Sequence, residues 1–188
     1  MIRIQGGRFK GRRLLQPGSL ASRPSSAKLR SSLFSLLGED LTGSWADLFC
    51  GVGGFGIEAI GRGAEHCSFV ELEPAALRAL ASNLELLKIE PAHWRIHRGD
   101  ARRWLTKVLE EAEAHYDGIF ADPPYGPLDP GILLPVGWRL VESGRARAFI
   151  LEHAAAANLP LLESSQLCTV RTRHHGGAAF TIIEGGSR

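Results

Sequence analysis

Short, largely apolar runs alternate with longer stretches of helical periodicity along most of the chain. Residues 45–50 and 116–121 have the length of buried strands, and residues 74–88 carry a leucine at every third or fourth position, which is typical of an amphipathic helix. This alternation predicts a parallel sheet with helices on both faces. The remaining predicted elements are strands at residues 66–70, 94–97 and 148–151 and helices at residues 55–62, 101–114 and 132–141.

The first 38 residues have a different pattern. Residues 1–20 contain short alternating apolar positions interrupted by glycines, which predicts a small β-hairpin. A hairpin of this size is not stable alone, so we expect it to pack on the main domain or to be held by a bound partner. Ser25 or Ser26 can cap a following helix with leucines on one face, and Gly38 is suited to end it.

The tail predicts two further strands, at residues 168–173 and 178–183, around a glycine turn. The chain has 188 residues, of which 44% are hydrophobic and 22% charged, so it is long enough for one domain with a substantial core. We therefore predict an α/β fold with a main domain over residues 39–188 and an extension over residues 1–38. The sequence shows no signal-like segment and no apolar run of membrane-spanning length, and its three scattered cysteines fit a reducing compartment. These features predict a cytoplasmic protein without a membrane partner.

Positive charge is concentrated in the extension. Of the 22 Lys and Arg residues, eight lie in residues 1–38, where there is no Asp or Glu, which leaves 14 basic against 20 acidic residues, a net charge of −6, in the rest. A basic segment on a mildly acidic body predicts a polyanionic partner, although a merely solvated basic face is the alternative. The residues predicted to contact this polyanion, which are the RNA-binding residues if it is RNA, are Arg3, Arg8, Lys10, Arg12, Arg13, Arg23, Lys28 and Arg30.

Acidic residues fall at the ends of four predicted strands, namely Asp47, Glu71, Asp100 and Asp122. In open parallel sheets, ligands bind outside the carboxyl ends of the strands. Four carboxylates meeting there are unfavourable without a cationic or hydrogen-bond-donating ligand. The sequence therefore predicts a cofactor with amine, hydroxyl and sulfonium groups, which describes S-adenosylmethionine. No spacing of ligands indicates a metal site.

A glycine-rich loop follows the first strand of the main domain. Gly51, Gly53 and Gly56 match the spacing of the dinucleotide fingerprint and predict close approach of a ligand to the backbone. Asp47 would repel the phosphates of a nicotinamide dinucleotide but attract the ammonium and sulfonium of S-adenosylmethionine. Glu71, at the end of the next strand, is placed to accept the ribose hydroxyls of either cofactor.

The tetrapeptide Asp122-Pro123-Pro124-Tyr125 ends another apolar run. Its prolines remove two backbone donors while their carbonyls remain, so the site offers acceptors beside an aromatic face. That surface suits a planar ring with an exocyclic amine, which would donate to Asp122 and a proline-region carbonyl while Tyr125 stacks on it. The alternative is that the prolines only end a strand. Glu152, after a later strand, is open between a structural role and support of the base pocket.

These motifs resemble the bacterial methyltransferases that modify guanine N2 in small-subunit (16S) ribosomal RNA. The resemblance covers nearly the whole chain and is carried by residues 3–12, 22–30, 47–58, 99–101 and 122–125. It implies a Rossmann-like methyltransferase fold with a mostly parallel seven-stranded sheet and a closing antiparallel hairpin. It also implies a monomer that acts on 16S ribosomal RNA in an assembled or assembling small subunit.

The resemblance assigns roles to individual positions of this chain. The implied cofactor contacts are Asp47, Phe49, Gly51, Gly53, Glu71, Asp100, Ala101 and Asp122, and the implied catalytic residues are Asp122, Pro123, Pro124 and Tyr125. The chain departs from the family near its end, where residues 175–178 replace a Tyr-Gly-Asp-Thr-like turn.

Three other functions are compatible with part of the sequence. An adenine-N6 or cytosine-N4 methyltransferase shares the tetrapeptide, but 188 residues leave no room for a separate DNA-recognition domain. A nicotinamide-dependent oxidoreductase explains the glycine loop and leaves Asp47 and residues 122–125 unexplained. A non-catalytic RNA-binding assembly factor leaves the acidic strand ends unexplained.

Overall fold

A computed structural model describes residues 2–18, 27–38, 40–124, 130–163 and 165–186, without the side chains of residues 27 and 28. Within these ranges one mixed sheet carries helices on both faces. No helix in the described ranges is long and apolar enough to span a bilayer.

Seven described strands form the sheet in the order β3-β2-β1-β4-β5-β7-β6. The first five run parallel to one another, whereas β7 is antiparallel to both β5 and β6. The predicted fold class, a mostly parallel Rossmann-like sheet closed by an antiparallel hairpin, is therefore confirmed. The strands are β1 (Ser44–Leu48), β2 (His66–Glu71), β3 (Trp94–Arg98), β4 (Gly118–Ala121), β5 (Ala148–Ala154), β6 (Cys168–His175) and β7 (Ala178–Gly185).

The helices begin where local residues can satisfy the free N–H groups of a first turn. Glu73 accepts a hydrogen bond from the Ala75 N–H and is followed by Pro74, a residue well suited to a first helical position. Asp100 caps the next helix in the same way. The helices are α1 (Ala27–Leu37), α2 (Gly54–Gly61), α3 (Pro74–Leu86), α4 (Ala101–Glu110) and α5 (Leu134–Glu142), with short 3-10 turns at Gly7–Phe9, Pro91–His93 and Pro130–Leu133.

Several element boundaries differ from the predictions by one to four residues. The helix predicted over residues 101–114 ends at Glu110, because acidic residues at 110, 111 and 113 oppose the negative end of the helix dipole. The strand predicted from residue 116 begins at Gly118, and Tyr116 instead makes an isolated bridge to Ala146.

Each face of the sheet has its own hydrophobic cluster. One cluster contains Phe55, Ile57 and Phe69 with α1, α2 and α3, and the other contains Leu105 and Leu140 with α4 and α5. The predicted division at residue 38 does not divide the core. Ile4, Phe9, Leu14, Leu29, Leu33 and Phe34, from the extension, belong to the first cluster.

Polar contacts close the amino-terminal hairpin, defined here as residues 2–15, and fix it on the main domain. Arg3 and Arg13 form an antiparallel bridge, and the Glu58 carboxylate of α2 accepts the Gln5 N–H at 2.9 Å. Asn83 of α3 accepts the Leu15 N–H at 2.8 Å. Support of the hairpin by the main domain, one of the two expectations, is thus confirmed.

Candidate functional site at the acidic edge of the sheet

The carboxyl ends of β1 to β4 meet at one edge of the sheet. Leu48 pairs with Val70 on one side and Ala121 on the other, and Glu71 pairs with Arg98. The register therefore brings the predicted acidic residues to this acidic edge, defined by Asp47, Glu71, Asp100, Asp122 and Glu152. Glu152 joins them because Leu151, which precedes it, pairs with Ala121.

Asp47 is the most enclosed carboxylate of the acidic edge. Its side chain lies in β1, is only 2% exposed, and accepts the Gly56 N–H at 2.9 Å. Burial raises the pKa of Asp47 to about 8, with smaller contributions from the negative charges of Asp122 and Glu71. The carboxylate is thus held in a place where its charge is costly unless a cation or a donor lies beside it.

The three glycines of the loop have different surroundings. Gly51 has φ +56, and a Cβ added there would meet no atom within 4 Å, so this face of the loop is open. A Cβ at Gly53 would collide with Leu80, and one at Gly56 with Phe69. The predicted ligand approach therefore suits Gly51, whereas Gly56 allows α2 to pack closely on β2.

The backbone conformation of Phe49 and the carboxylate of Glu71 both shape the same loop. Phe49 has φ +56, a left-handed conformation that is uncommon for a bulky side chain. The Glu71 carboxylate accepts the Gly51 N–H at 2.8 Å, as well as the Leu72 and Glu73 N–H groups. A carboxylate has about four acceptor positions, so it can also accept a hydroxyl.

Asp100 is already engaged within the protein. It caps α4 by accepting the N–H groups of Arg102 and Arg103, and it forms a 2.8 Å ion pair with the Arg102 guanidinium. The Arg102 hydrogen bond lowers the pKa of Asp100. Ala101 follows as a buried first residue of α4. Their predicted cofactor contacts stay a prediction.

The tetrapeptide begins directly after β4. The Asp122 N–H donates to the Leu48 carbonyl at 3.4 Å, which ties the tetrapeptide to β1, and the Asp122 side chain is half-buried. Pro123 is buried and Pro124 exposed. Tyr125 lies outside the described residues, so its predicted stacking stays a prediction.

The predicted RNA-binding residues whose side chains the structure describes fall into two groups. Five of them are exposed on the hairpin and its flank, namely Arg3, Arg8, Lys10, Arg12 and Arg13. Arg30 differs, because it is 4% exposed and its guanidinium donates to the Arg3 carbonyl at 3.0 Å. In this structure it does not lie on the surface that a phosphate can reach. Arg23 and the side chain of Lys28 lie outside the described residues.

Two residues that support the site were missed from the sequence. Asn83 is 2% exposed and donates to the carbonyls of Val52, in the glycine loop, and Leu15, in the hairpin. Glu58 is fully buried between the Gln5 N–H and Arg62. The available signal was a polar residue inside an apolar helical stripe, as Asn83 is between Leu80 and Leu84.

The environment of Cys50 and Cys67 does not favour their reactive thiolate forms. Burial, reinforced by the charge of Asp47, raises the pKa of the Cys50 and Cys67 thiols well above the usual value. No group of metal-ligating side chains occurs in the part of the chain that the structure describes.

Comparison with known proteins gives the family. Residues 2–182 match the family described as conserved hypothetical protein 95. The Bacillus subtilis (strain 168) protein YlbH is 39% identical over 125 residues, which are 66% of this chain and 67% of that protein. Ribosomal RNA small subunit methyltransferase D of Escherichia coli K12 is 32% identical over 125 residues, and the match spans 66% of this chain and 60% of that enzyme.

Solved structures agree with the fold. The Escherichia coli protein yhhF superposes with a TM-score of 0.77 at 24% identity, covering 100% of this chain and 99% of that one. A hypothetical protein of Thermus thermophilus superposes with a TM-score of 0.75 at 27% identity, covering 98% and 99%. The family match over residues 2–182, together with these relatives, shows that the chain belongs to the conserved hypothetical protein 95 family, the family of the small-subunit ribosomal RNA methyltransferase D proteins that its motifs resemble.

Proposed function

We propose that this protein transfers a methyl group from S-adenosylmethionine to the exocyclic N2 amine of a guanine in small-subunit (16S) ribosomal RNA. The observation that carries the proposal is the acidic edge, where Asp47 in β1, Glu71 at the end of β2 and Asp122 after β4 lie at the carboxyl ends of adjacent parallel strands, beside the open face of Gly51. The family membership supports it, since relatives include a ribosomal RNA small subunit methyltransferase.

The edge fits a cationic cofactor better than a dinucleotide. Asp47 is buried and faces the charges of Asp122 and Glu71, so an ammonium or sulfonium relieves their repulsion, whereas a pyrophosphate adds to it. Asp47 and the open Gly51 face would hold the amino acid end, and Glu71 the ribose. When bound, S-adenosylmethionine supplies an electrophilic methyl group.

The chain's own residues would align and activate the amine. An exocyclic amine is a poor nucleophile because its lone pair is delocalised into the ring. Accepting its two N–H bonds at Asp122 and at a carbonyl of Pro123 or Pro124 would favour a pyramidal nitrogen whose lone pair faces the methyl. Asp122 then lies where positive charge develops on the nitrogen. Much of the remaining rate enhancement would come from alignment of the amine nitrogen with the methyl group for an in-line displacement.

The target base of the RNA must leave its stack before it can reach this edge. Unstacking costs a few kcal/mol, and an aromatic ring at Tyr125 would recover part of it. The exposed cations of the hairpin would hold the phosphates, and the hairpin lies directly against α2, beside the glycine loop. We propose an assembled or assembling small subunit in the cytoplasm as the partner and a monomer as the acting form.

The decisive experiment compares 16S ribosomal RNA from a strain lacking this protein with RNA from the same strain carrying either the wild type or the Asp122→Ala variant. We expect one N2-methylguanine to disappear on deletion and to return only with the wild type, as measured by mass spectrometry of nucleosides. Loss of N6-methyladenine or N4-methylcytosine instead would favour the adenine or cytosine alternative. Unchanged RNA methylation would reject ribosomal RNA as the substrate.

A further inference from the structure

Arg30 is a buried cation where α1, the amino-terminal hairpin and α2 meet. It lies on α1, and one guanidinium nitrogen, Nη2, donates to the Arg3 carbonyl of the hairpin at 3.0 Å. The other, Nη1, lies 3.3 Å from the position that a Cβ on Gly54 would occupy, which puts it against the first residue of α2. Arg30 thus contacts the hairpin and the helix that begins at the glycine loop.

The charges around Arg30 are negative. Glu58 of α2, Glu152 of β5, Asp47 of β1 and Asp122 after β4 all act on its guanidinium and oppose the effect of burial on its pKa. Glu58 already accepts from Arg62 and from the Gln5 N–H. The other three carboxylates are the members of the acidic edge that come from the central strands.

Several charged and polar groups act on the Asp47 carboxylate. Asp122 and Glu71 repel its negative charge, while the Gly56 N–H and Arg30 stabilise it. The buried thiols of Cys50 and Cys67 also lie within its field. A protein that must keep several carboxylates at one enclosed edge needs an internal cation, because removing one partner of a buried charge cluster leaves the other charges uncompensated.

We propose that Arg30 is a positioning residue of the acidic edge: a cation, fixed between the backbone of the hairpin and the first residue of α2, that offsets the mutual repulsion of Asp47, Asp122 and Glu152 and holds this edge ready for a cationic ligand. This assignment replaces its predicted role as a phosphate contact. It rests on the proposed function in so far as S-adenosylmethionine is that ligand.

The test follows the titration of Asp47 in the free protein by carbon-13 NMR of labelled aspartates, with Asp47→Asn used to assign the signal. We expect Arg30→Gln to raise the titration midpoint of Asp47 above the wild-type value, because the Arg30 charge favours the ionised form of this carboxyl. Arg30→Lys should keep it close to the wild-type value. The acid limb of the kcat/KM profile should move upward in Arg30→Gln by a similar amount.

Arg62→Gln is the matched control. Arg62 is also a largely buried arginine paired with Glu58, at 2.8 Å, but it packs over the Phe34 ring, on α1, and does not contribute to the charge balance of Asp47. It should lower thermal stability without moving the Asp47 midpoint. An unchanged midpoint in Arg30→Gln, or an equal shift in Arg62→Gln, would overturn the proposal.

A variant that fails to fold is also informative. If Arg30→Gln unfolds because the carboxylates repel one another, the double variant with Asp47→Asn should regain a cooperative thermal transition. A double variant that remains unfolded would mean that Arg30 acts through packing, against the proposal. Failure of the proposed function has a different signature, namely a wild-type protein that binds no S-adenosylmethionine by calorimetry while its Asp47 titration still responds to Arg30.

Discussion

The acidic edge and the amino-terminal hairpin carry opposite charges, and they hold them in opposite ways. Asp47 is 2% exposed and hydrogen-bonded to the Gly56 N–H, whereas Arg8, Lys10, Arg12 and Arg13 are exposed. A buried charge acts through its immediate neighbours, while exposed charges act through their number, because water and salt screen each of them. Single substitutions should therefore matter at the edge, and only combined ones on the hairpin.

The strongest test of this contrast is Asp122→Ala. We expect methylation to be abolished while the affinity for S-adenosylmethionine stays within a few-fold, because Asp122 is assigned to the acceptor amine. Transfer of labelled methyl groups to small ribosomal subunits and calorimetry of cofactor binding measure the two effects separately. A comparable loss of both would assign Asp122 to the cofactor instead.

The hairpin should respond to accumulated charge. Replacing Arg8, Lys10, Arg12 and Arg13 by alanine should weaken RNA binding and flatten its salt dependence by roughly the number of phosphate contacts removed. Binding across a salt series measures both. The same four positions carrying lysine throughout form the control and should retain most of the affinity. An unchanged slope in the alanine variant would mean that RNA is held elsewhere.

The affinity of the acidic edge for S-adenosylmethionine should depend on pH through Asp47. Because the pKa of Asp47 is raised to about 8, the free protein holds a proton that a cationic ligand must displace. Affinity for S-adenosylmethionine should fall as pH decreases from 7.5 to 6, by at most about tenfold per unit. Calorimetry in buffers of different ionisation enthalpy should detect the released proton. Asp47→Asn should bind more weakly and without this pH dependence.

The same pKa predicts the pH dependence of folding. In the folded protein Asp47 keeps its proton up to a pH of about 8. In the unfolded chain the same carboxyl loses its proton at a pH of about 4. Its contribution to the free energy of unfolding is therefore fully present below about pH 4 and is lost as pH rises toward 8. Asp47→Asn should flatten this part of the stability profile, measured by thermal unfolding.

The smallest expected effects distinguish two glycines. Gly56→Ala should destabilise the protein by about 1–3 kcal/mol, because its Cβ would overlap Phe69 and Cys67. Gly51→Ala should cost only about 1–2 kcal/mol for its left-handed backbone, yet it would place a methyl group on the open face. Cofactor affinity should therefore suffer more in Gly51→Ala. The reverse order would show that Gly51 does not face the ligand.

Much of the fold could be predicted because hydrophobic periodicity determines which face of each element is buried. The residues that follow each strand could also be placed together, since parallel strands end at a common edge. The surroundings of individual side chains could not be predicted in this way. Gly51 and Gly56 are glycines of the same loop, and the sequence does not distinguish their surroundings. Only the packing of α2 on β2 shows that Gly56 faces Phe69 and that Gly51 faces open space.

Arg30 shows the same limit for charges. In the sequence it is one of eight cations in an acid-free segment, and the charge count alone does not distinguish it from the exposed ones. Burial depends on α1 packing under the hairpin, which is a contact between distant parts of the chain. A count of charges can therefore predict a binding surface without showing which of the charged residues lie on it.

The shared core of the hairpin and the main domain has a consequence for experiments on shortened chains. Ile4, Phe9 and Leu14 fill the same cluster as Phe55, and the Gln5 N–H satisfies the buried Glu58 carboxylate. A protein lacking residues 2–15 would expose that apolar surface and leave Glu58 with one donor fewer. Its loss of activity would report misfolding as readily as lost RNA contacts. The contribution of the hairpin to recognition is therefore accessible through substitutions of its exposed side chains and not through its removal.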